Sequence, residues 1–382
     1  MPWSCSSPMD QKIRFIADYQ RHFFSLAELC SRFGVSRKTG YKWRSRYHEE
    51  GVPGLEDRSH APHSCPHKLE EHVAEAIVEA RKKHPHWGPK KLLDWLRPRR
   101  PELDLCVPST AGDLLHREGL SQAGRRRRRW RHPGPPQREI YAPNDLWTAD
   151  FKGQFRTRDG EYCYPLTIAD QASRYLLRCQ ALSSTRTVET KPVMERLFRE
   201  LGLPRALRTD NGVPFASTGI HGLCSLNVWW IQLGIAHQRI QPSHPEQNGV
   251  HERMHRTLKA QTTRPPAANR RAQQRSFDRF RAEFNDERPH DALGGRAPGT
   301  VWSPPSRAYP SRLQGPEYPG HYQARFVSNA GTFRFQCQQL LISAALKQHW
   351  IGLEEIDDGI WAVYFYDVLL ARFDERDRKL HA

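Results

Sequence analysis

The sequence predicts a multidomain chain: two N-terminal all-α units of helix-turn-helix plan, a mixed α/β core, and a small C-terminal β-barrel. Three observations predict it. Up to about residue 122, apolar positions recur with a helical period between Gly- and Pro-containing turns. Between 146 and 262, three strand-like runs are followed by alternating helices and strands. After 321, six short alternating runs follow one another closely. The boundaries read as a first helical unit over 9–51, a linker over 52–67 and a second helix-turn-helix or winged-helix-like unit over 68–122. An Arg-rich linker over 123–139, the α/β core over 140–297, a Pro-rich linker over 298–320 and the barrel over 321–376 complete the chain.

Charge narrows the class. Lys and Arg number 59 against 42 Asp and Glu, a formal net charge of +17 in 382 residues. That excess points to a polyanion, most simply nucleic acid. The 11 Trp and 37% hydrophobic residues argue for folded cores rather than a basic tail. No run of about 18 apolar residues predicts a membrane span, and Met1-Pro-Trp-Ser-Cys5 does not read as a signal peptide. The eight cysteines lack a Cys-x-x-Cys pair and suit reduced thiols. His60, His63, Cys65 and His67 crowd a Pro-rich linker, a poor tetrahedral cage for zinc.

In the first unit, Ile13, Ile16, Ala17 and Tyr19 give a helical face. Ser25 and Glu28 fit a capping box, and Ser36 after Gly34-Val35 caps a third, basic helix. A recognition helix meets base edges with its N-terminal residues. Arg37, Lys38 and Lys42 are the candidate DNA contacts, while Trp43 and Tyr47 read as core. The bland alternative is a helical hairpin that packs on a protein. Helices over 69–84, from Gly88-Pro89 and from Pro108-Ser109 to Gly119 make the second unit. The block Arg125, Arg126, Arg127, Arg128 and Arg129 continues to Arg131 and reads as a phosphate-binding linker.

The core carries the chemistry. Leu146–Phe151 is strand-like, with Asp150 within it. A short strand from Arg205 delivers Asp210-Asn211-Gly212. The turn pair Asn248-Gly249 opens a helix on which Glu252, Arg256 and Lys259, spaced i, i+4, i+7, share a face. Phosphodiester transfer needs positive charge where negative charge builds, and two divalent ions roughly 3.5–4 Å apart provide it. Such hard cations take carboxylate oxygens. Without them, two clustered carboxylates at 4 Å repel by on the order of 4 kcal/mol.

Four stretches carry a resemblance: Trp147-Thr-Ala-Asp150-Phe-Lys-Gly, Ala169-Asp-Gln-Ala-Ser-Arg-Tyr175, Arg208-Thr-Asp210-Asn-Gly, and His244-Pro-Glu-Gln-Asn-Gly-Val-His-Glu252-Arg-Met-His-Arg-Thr-Leu-Lys259. Together they resemble the retroviral-integrase-like core of DDE transposases of bacterial insertion sequences. The resemblance extends to Leu29–Trp43 and Gly54–Ser59, so it runs over most of the chain. It implies a ribonuclease-H-like core holding two Mg²⁺ or Mn²⁺ ions on Asp150, Asp210 and Glu252, with Lys259 contacting DNA. It implies no zinc and no covalent protein–DNA intermediate. The expected activity is DNA transposition: binding of terminal inverted repeats, 3′-end cleavage and strand transfer into target DNA. The partners implied are DNA and further copies of the chain, without a membrane, in the bacterial cytoplasm beside the nucleoid.

Glu246 stands 36 residues after Asp210 and Glu252 42 residues after it. The first spacing fits the name of the family motif; the second fits its Asn-Gly before and Arg-Thr-Leu-Lys after, and is preferred. Asp170 reads as structural, pairing Arg174. Two rivals stand beside the transposase: a domesticated, inactive core acting as a DNA-binding regulator, and a metal nuclease that cuts without joining.

Overall fold

A computed structural model describes residues 7–58, 69–121, 142–217, 222–240, 249–377 and 379–381. Arg125–Arg131, Glu246, Asn248 and the His60–His67 cluster lie outside the described residues. The chain divides into two compact units, Met1–Lys68 and Leu69–Ala382.

The first unit is three helices, α1 (Pro8–Gln20), α2 (Leu26–Arg32) and α3 (Arg37–Glu50). Both α1 and α2 begin with capping boxes, Ser7 with Asp10 and Ser25 with Glu28, and Ser36 caps α3. Phe15, Ile16, Leu29, Cys30, Trp43 and Leu55 form its core, with Tyr47 packed against it. The inward face of α1 differs from the sequence reading: Ile13 is 40% exposed, and Phe15 takes its place. Gly40 lets α3 lie close to α2, because a Cβ there would run into the Cys30 thiol.

The second unit opens with α4 (Glu71–Lys83), α5 (Pro89–Leu96) and α6 (Pro108–Arg117), packed around Ile77, Trp87, Leu92 and Leu115. Among the described residues of 69–121 there is no strand, so no wing is formed there. The α/β core follows with β1 (Leu146–Phe151), β2 (Phe155–Arg156), β3 (Tyr162–Asp170), β4 (Leu176–Leu182), α7 (Thr187–Leu201), β5 (Ala206–Thr209), α8 (Ser225–Gln232), β6 (Ala236–Arg239), α9 (Gly249–Thr262) and α10 (Arg270–Ala282). The sheet runs β2-β3-β1-β5-β6, with β4 also on β3. It is antiparallel through β4, β3 and β1 and parallel through β1, β5 and β6, the antiparallel start the pattern predicts.

The sheet buries both faces. Trp147, Ala149, Leu166 and Ile168 pack against α7 and α8 through Leu197, Phe198 and Trp230. Successive strand residues point to opposite faces. Thr148, Asp150 and Thr167 are therefore on the other side, where α9 and α10 bring Met254, Leu258, Phe277 and Phe280. A π-helical turn, Glu283–Glu287, continues α10. Residues 298–319 are not a free linker: Trp302 stacks on Tyr175 at 4.3 Å, and the Arg307 guanidinium donates to the Pro204 and Leu233 carbonyls.

The C-terminal strands are β7 (Gln323–Phe326), β8 (Thr332–Phe335), β9 (Gln338–Leu341), β10 (Trp350–Asp357), β11 (Ile360–Phe365) and β12 (Val368–Asp374). Six form, but the predicted barrel does not close. They make an open four-stranded sheet, β12-β11-β10-β7, and a separate β8-β9 hairpin. The alternation reports one buried face per strand, and two open sheets over a shared core satisfy it as well as a closed one. That core joins Phe333, Phe335, Ile351, Phe365 and Phe373 to Leu223 and Val228.

Candidate active site

The parallel pairing of β1 with β5 sets the site. Its last rung is Ala149 with Thr209, so Asp150 and Asp210 come next on neighbouring strands. The loop after β5 is held by its own residues. The Gly212 amide donates to Asp210 Oδ1 at 3.2 Å, and the Asn211 side-chain amide donates to the Ile240 carbonyl at 2.7 Å. A side chain at Gly212 would press on the Asp210 carboxyl.

The Asp150 carboxyl is pushed up to about 7, first by burial, then by the charge of Asp210 and, more weakly, by Glu252. Burial also raises Asp210, which the Gly212 amide partly offsets. Asp150 thus lies within the electrostatic reach of both other acids. Glu252 is exposed in the first turn of α9, and Arg256 and Lys259 are exposed with it.

The opposite face of α9 buries His251, Met254, His255, Leu258 and Thr262. His251 and His255, four residues apart, pack edge to face. His251 Nδ1 lies 2.8 Å from Thr148 Oγ1 and its Nε2 2.6 Å from Thr167 Oγ1. His255 Nε2 lies 2.6 Å from the same Thr167 oxygen, and its Nδ1 3.8 Å from Asp150 Oδ2. Burial lowers both imidazoles, His251 to about 3.

These histidines escaped the sequence reading. The available signal was their i, i+4 spacing in register with Met254 and Leu258. His251-Glu252-Arg253-Met254-His255 also has the letters of the H-E-x-x-H zinc helix. The geometry is different, because both Nε2 atoms meet one threonine hydroxyl, while ligand atoms of His251, His255 and Asp150 lie within 4.8 Å of one another.

Asp170 is structural. Its carboxylate accepts from the amides of Asn144, Ala172 and Ser173 and from the Ser173 hydroxyl, at 2.7–3.0 Å. Arg174 reaches it only through its charge. In the first unit, Arg37, Lys38 and Lys42 are exposed on the first two turns of α3. Lys42 also stands 4.5 Å over the Trp43 ring.

In sequence order, the chain carries helix-turn-helix domains and then an integrase core. Residues 140–245 and 233–298 match the Integrase core domain, 11–63 a Helix-turn-helix domain and 39–115 a Homeodomain-like domain.

The chain is similar to bacterial insertion-element proteins. It is 26% identical over 270 residues to the "Insertion element IS476 uncharacterized 39.2 kDa protein" of Xanthomonas euvesicatoria, covering 69% of this chain and 73% of that protein. It is 27% identical over 178 residues to the "Insertion element IS407 uncharacterized 31.7 kDa protein" of Burkholderia multivorans, covering 45% and 62%. Among solved structures, a simian T-cell lymphotropic virus intasome in complex with PP2A regulatory subunit B56 gamma aligns at 18% identity. Its TM-score is 0.37, over 77% of this chain and 97% of that one. Among the described residues, no helix is long and apolar enough to cross a membrane.

Proposed function

We propose that the chain is a DDE transposase. Its helical units bind the terminal inverted repeats of an insertion element. Its core cleaves the 3′ ends of the element and joins them to target DNA. Asp150, Asp210 and Glu252 are the proposed ligands of two divalent ions, Mg²⁺ or Mn²⁺.

One observation carries the reading. Asp150 is held near pKa 7 because a buried carboxyl faces the charges of two further acids from separate parts of the chain. A stable apolar fold does not need that repulsion, and a divalent cation relieves it. The donor set is carboxylate oxygen, which suits hard cations. When bound, such ions polarise a phosphodiester and ease deprotonation of an attacking water or 3′-hydroxyl.

The chain's own residues supply the rest. Asn211 and Gly212 fix the Asp210 carboxyl at the strand end. Arg256 and Lys259, exposed on the helix of Glu252, offer cations to the DNA backbone. Arg37, Lys38 and Lys42 read base edges, and Arg125–Arg129 follow phosphates along the DNA. Two DNA ends must be held together, which calls for a homo-oligomer on DNA. The setting is the bacterial cytoplasm, beside the nucleoid.

The test is a strand-transfer assay on labelled inverted-repeat ends with Mg²⁺. Asp150→Asn, Asp210→Asn and Glu252→Gln should reduce cleavage and joining to background, while Glu246→Gln should leave both. Joining that survives Glu252→Gln would overturn the assignment. Repeat binding without cleavage by the unaltered chain would favour a DNA-binding regulator instead.

A further inference from the structure

The Thr167 hydroxyl fixes the protonation of its neighbours. Three groups lie within hydrogen-bond distance of its oxygen: the Asp150 carbonyl at 3.0 Å, His251 Nε2 at 2.6 Å and His255 Nε2 at 2.6 Å. A carbonyl only accepts, and a hydroxyl has one hydrogen and two lone pairs. All three contacts are satisfied in one arrangement alone. Thr167 donates to the carbonyl, and both imidazoles donate to Thr167 from Nε2–H.

Each Nδ1 then carries a lone pair. That of His251 faces the Thr148 hydroxyl at 2.8 Å, whose one hydrogen also has the Ala169 carbonyl within reach at 3.2 Å. That of His255 faces Asp150 Oδ2 at 3.8 Å, too far for a hydrogen bond. His255 is 4% exposed. A buried nitrogen lone pair and a carboxylate oxygen therefore face each other across a gap.

The gap has a dimension that matters. A first-row ion keeps N and O ligands at about 2.0–2.2 Å, so two ligands on one ion stand roughly 3–4 Å apart. His255 Nδ1 and Asp150 Oδ2 meet that separation. His251 does not qualify, since both its nitrogens are engaged by threonines.

We propose that His255 Nδ1 is a nitrogen ligand to the divalent ion held by Asp150. The centre is then a mixed N,O site that takes Mn²⁺ or Co²⁺ in preference to Mg²⁺, because imidazole suits transition ions and Mg²⁺ takes oxygen. The inference rests on Asp150 being a metal ligand. Burial and the nearby His251 and Lys152 keep His255 neutral, the form that ligates.

The test is pulsed EPR on the full chain loaded with Mn²⁺, without DNA. The spectrum should show a directly coordinated ¹⁴N, replaced by a ¹⁵N signature when histidine is isotope-labelled. It should be lost in His255→Asn and kept in His251→Asn. Competition binding should show His255→Asn weakening Mn²⁺ and Co²⁺ by roughly 10–100-fold while moving Mg²⁺ little. Bound Mn²⁺ without nitrogen coupling, or coupling that persists in His255→Asn, overturns the nitrogen ligand and leaves the carboxylate reading standing. Mn²⁺ binding undiminished in Asp150→Asn overturns the carboxylate reading itself. Should His255→Asn fail to fold, the labelled wild-type spectrum and His251→Asn still decide.

Discussion

Asp150 and Asp210 stand one residue beyond the last rung shared by β1 and β5, on adjacent parallel strands. Their mutual repulsion is a measurable quantity. Asp210→Asn removes one charge facing Asp150 and should lower its pKa from about 7. The value should stay above the ordinary carboxylate range, because burial is the larger cause and remains. A ¹³C-carboxyl NMR titration reads the shift. An Asp150 titration unmoved by the substitution would show that the two acids do not sense each other.

The same raised value makes stability depend on pH. Folded Asp150 holds its proton more tightly than unfolded Asp150. Its stabilising contribution is full below the ordinary value of 3.8 and is lost as pH rises to about 7. The side chain is 17% exposed. The loss is on the order of 4 kcal/mol at most. The metal-free chain should therefore be less stable at pH 8 than at pH 5. Mg²⁺ should raise the melting temperature at pH 8 and have little effect at pH 5. Calorimetry at the two pH values, with and without Mg²⁺, gives the comparison.

Two sets of exposed cations should separate by salt and sequence dependence. Gln in place of Arg37 or Lys38 should weaken binding to an inverted-repeat end by about 1–3 kcal/mol if the residue meets a base, with less effect on random DNA. Lys259→Gln should weaken both DNAs alike and reduce the salt slope by about one. Fluorescence anisotropy across a salt series distinguishes the two. Equal losses on both DNAs for Arg37→Gln would remove α3 from base recognition.

Local signals explain what the sequence revealed. Ser25 with Glu28, Ser36, and Pro89 each set a helix start through contacts spanning a few residues, and these starts are where the structure has them. The proposed acids stand out in the sequence because loop and helix signals surround them. The inward face of α9 does not. His251 and His255 are explained by Thr148 and Thr167, about a hundred and about eighty positions earlier, and only strand pairing brings those threonines beneath α9. Sheet closure was equally hidden, since alternation along β7–β12 specifies a buried face but not which edges meet.

Close packing of α2 on α3 depends on Gly40. Alanine is normally the better helix former by about 1 kcal/mol. Here its Cβ would strike the Cys30 thiol and approach Phe15 at 3.2 Å. Overpacking of this kind costs about 1–3 kcal/mol, so Gly40→Ala should destabilise the first unit on balance. Adding Cys30→Ala should recover part of the loss. Chemical denaturation of the single and double variants measures both. A Gly40→Ala variant more stable than the parent would mean that α2 and α3 separate without cost.

Thr167 ties the two buried imidazoles to the backbone of Asp150 through one oxygen. Thr167→Val keeps the shape and removes that oxygen, stranding two imidazole N–H groups in a buried site. Each stranded group costs about 1–3 kcal/mol, so the variant should lose several kcal/mol of stability. Thr167→Ser keeps the hydroxyl and should lose far less. The tautomers give an independent check, since ¹⁵N NMR of the folded parent should place the proton on Nε2 of both His251 and His255. A proton on His255 Nδ1 would turn that atom from an acceptor into a donor toward Asp150. The hydroxyl would then have to donate to His255 Nε2, and its bond to the Asp150 carbonyl could not form at the same time.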